Sequence, residues 1–325
     1  MTKPRILLVA LGGTIAMTPS STGGIAPTLG AADLVAAVPG LNDLAQIDAR
    51  SPFQLPSASL TQVHLAGVAA LIDAELAAGA LGAVVVQGTD SIEESAFLLD
   101  CLVQSDRPVV VTGAMRGAQM PGADGPANIL AAVIVAMQAP TGLGTLVVLN
   151  DEVHAARFVR KGNTGLTSAF TSAPFGPVGH VTEGVFAPAL RPTPLAKQPL
   201  PGDDVPPVAL IQIGMGDDGR LLSALPGLGY RGAVLVAMGA GHVPAAMVMP
   251  IAGLVARMPV ILTSRVAEGP VFSRTYGYPG SERDLLARGV IGGAALGPLK
   301  ARLLLQLLLA AGTPPGNISA AFAGA

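Results

Sequence analysis

The chain has 325 residues, a formal net charge of −2 and only 12% charged residues, so it carries neither the basic stripe of a nucleic-acid binder nor an acidic tail. Its length accommodates about two domains of about 150 residues each, and at this size about 75% of the unfolded surface can be buried. Half of the residues are hydrophobic, but residues 232–256, which contain no Asp, Glu, Lys or Arg, are interrupted by Pro244, Pro250 and glycines, and read as strand, loop and helix rather than one spanning helix of about 20 residues.

The first predicted strand is Arg5-Ile6-Leu7-Leu8-Val9-Ala10, which runs into Leu11-Gly12-Gly13-Thr14-Ile15-Ala16. Although Lys3 and Arg5 precede it, this apolar run is too short for a signal peptide, which points to a cytoplasmic protein. A helix is predicted over residues 31–38. Another, over 61–78, follows Pro56-Ser57-Ala58-Ser59, opens with the capping-box pattern Ser59-x-x-Gln62 and closes at Gly79. A strand over 81–86 leads into Gln87-Gly88-Thr89-Asp90-Ser91. There Ser91-x-x-Glu94 repeats the capping signature and starts a helix with Phe97, Leu98, Cys101 and Leu102 on its apolar side. A strand over 108–112, a glycine-rich loop to Gly125, a helix near 128–137 and a strand over 145–149 complete the alternation. The pattern is that of an α/β protein with a doubly wound, mostly parallel sheet.

From residue 150 to 186 the pattern is irregular, and residues 187–207 hold seven prolines among 21 positions. That stretch reads as a linker between a larger N-terminal catalytic α/β domain, 1–186, and a smaller C-terminal α/β domain, 208–325. In the latter, strands are predicted near 208–213, 233–238 and 260–263, with a helix between the last two and a final helix from Pro298 to Gly312. The lone Cys101 has no internal disulfide partner and reads as a small core hydrophobe. His64, His154, His180 and His242 lack metal-ligand spacing, so neither metal nor cofactor is expected.

Two threonines, Thr14 and Thr89, stand where parallel strands end, the edge at which open α/β sheets bind ligands. A threonine hydroxyl is a weak nucleophile that needs a base, a lowered pKa or a metal. Thr89-Asp90 sets a hydroxyl beside a carboxylate, and Lys161, within Arg157-Phe158-Val159-Arg160-Lys161-Gly162-Asn163, offers a cation or base. Taken singly, Gly12-Gly13-Thr14 is also a tight turn, Asp90 a helix cap, and the lysine run a solvated basic turn. Only their conjunction carries a chemical reading.

These motifs, together with Gly113-Ala114-Met115-Arg116, Ala123-Asp124-Gly125-Pro126, Leu149-Asn150-Asp151 and Lys300-Ala301-Arg302, resemble the bacterial-type L-asparaginase family over nearly the whole chain. The resemblance implies hydrolysis of L-asparagine to L-aspartate and ammonia, with minor glutaminase activity, by a homotetramer built from intimate dimers with active sites between subunits. It implies Thr14 as nucleophile, Thr89, Asp90 and Lys161 as a second catalytic group, and Ser57 and Asp90 as ligands of the substrate's α-carboxylate and α-ammonium groups. Gly13, Gly88 and Ala114 complete the expected substrate contacts. Whether the reaction passes through an acyl-enzyme or direct attack by water stays open. So does the alternative of an amidase subunit of a tRNA-dependent amidotransferase or a non-catalytic amino-acid-binding protein.

Several positions depart from the family pattern. Leu11, Gln87 and Ser91 replace a threonine, a histidine and a threonine, and Ala58 stands where glutamine is common. The tyrosine that assists the nucleophile has no counterpart between residues 18 and 28, where Ser20, Ser21, Thr22, Gly23 and Gly24 give the composition of a closing loop. Tyr276, in Thr275-Tyr276-Gly277-Tyr278, and His242, in Gly239-Ala240-Gly241-His242, occupy positions where the resemblance implies residues that reach a neighbouring subunit's site. Tyr276 then either substitutes for the missing tyrosine or packs at an interface.

Overall fold

The computed structural model describes residues 3–13, 15, 17–19, 25–27 and 29–324. The chain divides into two compact units, Met1–Lys197 and Gln198–Ala325, the division falling inside the proline-rich stretch. No helix among the described residues is long and apolar enough to cross a membrane.

The first unit contains, in order, β1 (Arg5–Ala10), β2 (Met17–Pro19), β3 (Ile25–Pro27), α1 (Ala31–Ala36), α2 (Leu41–Leu44), β4 (Gln46–Arg50), α3 (Gln62–Ala77), β5 (Gly82–Val86), α4 (Ile92–Leu102), β6 (Val109–Thr112), α5 (Gly125–Gln138) and β7 (Thr145–Leu149). It continues with β8 (Glu152–Ala155), β9 (Arg160–Lys161), β10 (Phe170–Thr171), β11 (Gly179–Thr182) and β12 (Val185–Pro188). Eight strands form one sheet in the order β12-β11-β8-β7-β6-β5-β1-β4. The five from β4 to β7 are parallel, and β8, β11 and β12 join antiparallel.

The inner parallel strands β1, β5, β6 and β7 are largely apolar runs because both faces are covered, whereas the edge strand β4 alternates polar and apolar residues. Ile6, Leu8, Val84, Val86, Val110 and Leu146 share one face with Ala31 and Leu34 of α1 and with Ile129, Ala132 and Val133 of α5. Alternation turns Leu7, Val9, Val85 and Val111 to the other face, where α3 and α4 lie against the sheet. Cys101 is buried in α4, and burial pushes its thiol pKa up.

In three respects the sequence expectations require correction. The cap of α3 is Thr61, not Ser59: its Oγ1 accepts the His64 N–H at 3.3 Å while His64 Nδ1 accepts the Thr61 N–H at 3.2 Å. Ser91 precedes α4 without capping it, because its hydroxyl donates to the Ser57 carbonyl at 2.9 Å instead. The stretch after residue 150 is not irregular, since it supplies the three antiparallel strands of the sheet and the β9/β10 hairpin. That reversal is made possible by Asn150 and Asp151, which take left-handed φ values of 53° and 61° between β7 and β8, a conformation these two residue types tolerate. The expected hinge residues Ser20 to Gly24 lie outside the described residues. The chain on either side of them, β2 and β3, forms an antiparallel ribbon.

The second unit contains β13 (Val208–Gln212), α6 (Arg220–Ala224), β14 (Gly232–Ala237), α7 (Val248–Val255), β15 (Val260–Ser264), α8 (Glu282–Ala287), β16 (Ile291–Gly292), α9 (Pro298–Ala310) and α10 (Pro315–Ala323). Its four strands are parallel and pair in sequence order. Crossovers of one hand then put α6, α7 and α8 on a single face, where Leu222, Ile251, Leu254 and Leu285 meet Leu235 and Leu262. The opposite face needs its own cover. The leucine-rich α9 supplies it, and Gly232 lets Leu305 and Leu309 approach the sheet.

A buried polar link ties β8 to the segment after β10. His154, only 1% exposed, holds its Nδ1 2.9 Å from the Ser172 hydroxyl. Burial, with a smaller contribution from His180, pulls its pKa down to about 4. The folded protein therefore binds fewer protons here than the unfolded chain between the unfolded pKa and about 4, so stability falls as the pH is lowered through that window. The loss is at most about 3 kcal/mol, because the Glu152 carboxylate, 3.3 Å from His154 Nε2, favours the imidazolium and works against the burial. Urea unfolding of the wild type and of His154→Gln at pH 7 and pH 4.5 checks it: the variant should lose distinctly less stability on acidification.

Candidate active site

The strand order places the site. From β1 the chain passes to β4 on one side and then returns to β5 on the other, so the carboxyl ends of β1 and β5 flank a topological switch point, where open α/β sheets form a crevice. Two glycines close that edge. Gly13 has φ +90°, and a Cβ added to it would overlap the backbone nitrogen and Cα of Gly88. A Cβ on Gly88 would in turn stand 2.7 Å from Ser57 Oγ. Glycine is required because main chain meets main chain, with no room for a side chain.

Around this contact the loops are joined by hydrogen bonds. Ser57, buried in a short 3₁₀ turn, accepts the Asp90 N–H on its Oγ at 3.2 Å. The buried Gln87 amide reaches Ser91 Oγ and the Gly88 carbonyl, each at 3.3 Å. At the end of β6, Asp124 accepts the N–H groups of Met115 and Arg116, both at 2.9 Å, and Asn128 bonds the Gly113 carbonyl at 2.9 Å and the Asn150 N–H at 3.0 Å. Ala114 is thereby fixed and buried beside Gly125. Asp124 and Asn128 belong to the scaffold under the site, a role that single-residue reading of the motifs does not disclose.

Lys161 enters from β9. Its Nζ donates to Thr89 Oγ1 at 2.9 Å and to Asp90 Oδ1 at 2.8 Å. The lysine side chain is 18% exposed while that of Asp90 is 72% exposed, so the cation is held down against the sheet edge and the carboxylate stays open to a ligand. The Thr89 hydroxyl, buried at the head of α4, accepts from the ammonium. A nearby cation favours an oxyanion, so this arrangement lowers the cost of drawing a proton from that hydroxyl.

Of the residues singled out in the sequence, the first unit brings together Gly13, Ser57, Gly88, Thr89, Asp90, Ala114 and Lys161. Thr14 lies outside the described residues. Its neighbours are placed: Gly13 against Gly88, and Ile15, buried, against Gly125.

Tyr276 and His242 belong to the second unit and meet each other there. The His242 ring lies edge-on to Tyr276 with centroids 4.7 Å apart and to Tyr278 at 5.5 Å. Behind them, fully buried Glu282 accepts the N–H groups of Thr275 and Tyr276 at 3.0 and 2.8 Å, and its Oε2 stands 3.3 Å from His242 Nε2. Burial of Glu282 opposes its charge, but the Tyr276 and Thr275 amides and His242 outweigh that and hold its carboxyl below the usual range. Sequence reading missed Glu282 because it looks like an ordinary acidic residue in a helix's first turn.

Residues 5–191 match the family model described as asparaginase, N-terminal, and residues 207–322 that of the glutaminase/asparaginase C-terminal domain. The chain is 36% identical over 331 residues to the probable L-asparaginase of Deinococcus radiodurans, covering 98% of this chain and 97% of that one. It is 34% identical over 313 residues to the L-asparaginase of Bacillus licheniformis, covering 94% and 95%. Among solved structures, the probable cytoplasmic L-asparaginase of Campylobacter jejuni superposes with a TM-score of 0.90 at 30% identity, covering 99% of this chain and all of that one. The chain belongs to the asparaginase family.

The glycine contact is testable by substitution. Gly13→Ala combines steric overlap with a left-handed φ and is expected to cost about 3 kcal/mol or more. Gly40→Ala, at φ +77° with nothing within 4 Å of the added carbon, should cost only about 1 to 2 kcal/mol. Denaturant unfolding of both variants checks the difference.

Proposed function

We propose that this chain is an L-asparagine amidohydrolase that releases L-aspartate and ammonia, and that Thr14, Thr89, Asp90 and Lys161 carry the reaction. The observation that carries the reading is the Lys161 ammonium bridging the Thr89 hydroxyl and the Asp90 carboxylate, beside the Gly13–Gly88 contact.

In this reading the substrate's α-carboxylate takes a hydrogen bond from the Ser57 hydroxyl and faces the Gly88 backbone, and its α-ammonium meets the exposed side of Asp90. The side-chain amide then points toward Gly13, Thr14 and Thr89. The Thr14 oxygen attacks the amide carbon, the proton it loses goes to the departing nitrogen, and the C–N bond breaks to give ammonia and an aspartyl ester. Water, deprotonated with the help of Thr89 and Lys161, hydrolyses that ester and returns the proton to Thr14. Backbone N–H groups near Gly13 and the Thr89 hydroxyl stabilise the oxyanion, each such donor being worth about 10²- to 10³-fold in rate. Ala114 lines the pocket.

Tyr276 and His242 complete the reading as residues that reach a neighbouring subunit's site in a homotetramer of intimate dimers. Tyr276 there takes the place of the tyrosine absent between residues 18 and 28. The domain reading is of a catalytic first domain and a smaller second domain that supplies this reach. The reading includes a cytoplasmic location, supported by the similar Campylobacter jejuni protein, which is named a probable cytoplasmic L-asparaginase.

Glutamine differs from asparagine by one methylene, worth about 1 to 3 kcal/mol in a pocket, so kcat/KM should favour asparagine by about 10- to 200-fold. Ammonia release from both amides, measured for wild type, Thr14→Ala, Thr89→Val and Tyr276→Phe, tests the assignment. The first two variants should lose at least about 10²-fold in kcat, and Tyr276→Phe should lose turnover without losing its fold. Full activity in Thr14→Ala would overturn the nucleophile. No ammonia from either amide by the wild type would redirect the reading to another amide or to amino-acid binding.

A further inference from the structure

Lys161 is held at two points, its ammonium and its backbone N–H. It sits on the two-residue strand β9, where it faces Phe170 of β10. The neighbouring Gly162 N–H bonds the Ala169 carbonyl at 2.7 Å. In an antiparallel pair the residue next to such a bond points its own N–H away from the partner strand, and a partly buried N–H needs an acceptor. Glu93 provides it: its Oε2 accepts the Lys161 N–H at 2.9 Å. Glu93 stands in the first turn of α4, on the same short segment as Thr89 and Asp90.

We propose that Glu93 is a positioning residue for the reaction, fixing the Lys161 backbone so that its ammonium sits at the Thr89 hydroxyl. This inference rests on the functional reading above. The segment from Thr89 to Glu93 grips the lysine at both ends, with hydroxyl and carboxylate on Nζ and a second carboxylate on the backbone nitrogen. Without the backbone grip, β9 is a two-residue strand free to shift relative to α4, and a displacement of about 1 Å at a catalytic group costs about 10²-fold in rate. A purely structural role is the competing account, since an acidic residue in a helix's first turn interacts favourably with the helix dipole. The two differ in what a glutamine does: Glu93→Gln keeps an oxygen that accepts the Lys161 N–H but loses the charge that the dipole favours.

The test is a double-mutant cycle on the full-length enzyme with asparagine, reading kcat, KM and the thermal midpoint for Glu93→Ala and Glu93→Gln in wild-type and Lys161→Ala backgrounds. Hydrogen exchange of the segment 158–166 is measured alongside. Glu93→Ala should lower kcat by about 10- to 100-fold with KM changed less than about threefold, Glu93→Gln should restore most of it, and in the Lys161→Ala background the Glu93→Ala step should add almost nothing. Exchange in the segment should rise in Glu93→Ala but not in Glu93→Gln. An undiminished kcat in Glu93→Ala, an equal loss in the Lys161→Ala background, or failure of glutamine to restore activity would each overturn the proposal. Full activity of Lys161→Ala would overturn the functional reading and this inference with it. If the wild type hydrolyses no amide, the exchange comparison still decides whether Glu93 holds the lysine strand, and unchanged protection in Glu93→Ala rejects it.

Discussion

Main chain touching main chain, between Gly13 and Gly88, is the constraint on which the rest of the candidate site depends. Parallel strands spaced at their normal hydrogen-bonding distance end with their following loops diverging toward opposite faces, and a crevice opens between them at the switch point. Here the loops after β1 and β5 are drawn together until neither tolerates a Cβ. That closeness sets the Ser57 turn against Gly88 and the Asp90 amide, so three separate segments become one rigid edge. A crevice floored by backbone rather than side chains presents amide groups to whatever enters it, which suits an anion or a developing oxyanion.

The second component, Lys161, comes from the separate β9/β10 hairpin that follows the antiparallel strand β8. The βα loops of the parallel sheet supply the glycines and hydroxyls at its edge, and the half-buried cation comes from elsewhere in the chain. The left-handed pair Asn150-Asp151 turns the chain back after β7, β8 returns antiparallel, and the β9/β10 hairpin then delivers Lys161 to the head of α4. A partly exposed lysine–aspartate pair contributes at most about 1 kcal/mol to stability. The arrangement makes more sense as chemistry than as a fastening.

Much of this architecture was legible in the chain. Continuous apolar runs of five or six residues ending in glycine with a hydroxyl residue identify buried parallel strands and their ligand-facing ends, and both signals are local. The β9/β10 hairpin was not legible, because strands of two residues have no periodicity to detect and their pairing is decided by tertiary contacts. The capping signatures misled for a related reason. Ser91 has the right residue type and spacing, yet a nearby carbonyl, that of Ser57, competes for its hydroxyl, and such competition appears only when the chain has folded. Glu93 was missed beside Glu94 because the pattern Ser-x-x-Glu directs attention to the second glutamate, while the hydrogen bond to a distant backbone nitrogen belongs to the first. In the second unit, Tyr276 and His242 stood out by sequence position. The buried carboxylate of Glu282 that binds their loop together did not.

The central claim is that the edge formed by Gly13, Ser57, Gly88, Thr89, Asp90 and Lys161 is where the substrate sits. A crystal structure of the enzyme with its product L-aspartate tests that most directly. Aspartate is expected in the crevice, its α-carboxylate on Ser57 and the Gly88 backbone, its α-ammonium on Asp90, and its side-chain carboxylate between Thr14 and Thr89. Aspartate bound away from this edge, or an edge that stays unoccupied at saturating product, would contradict it.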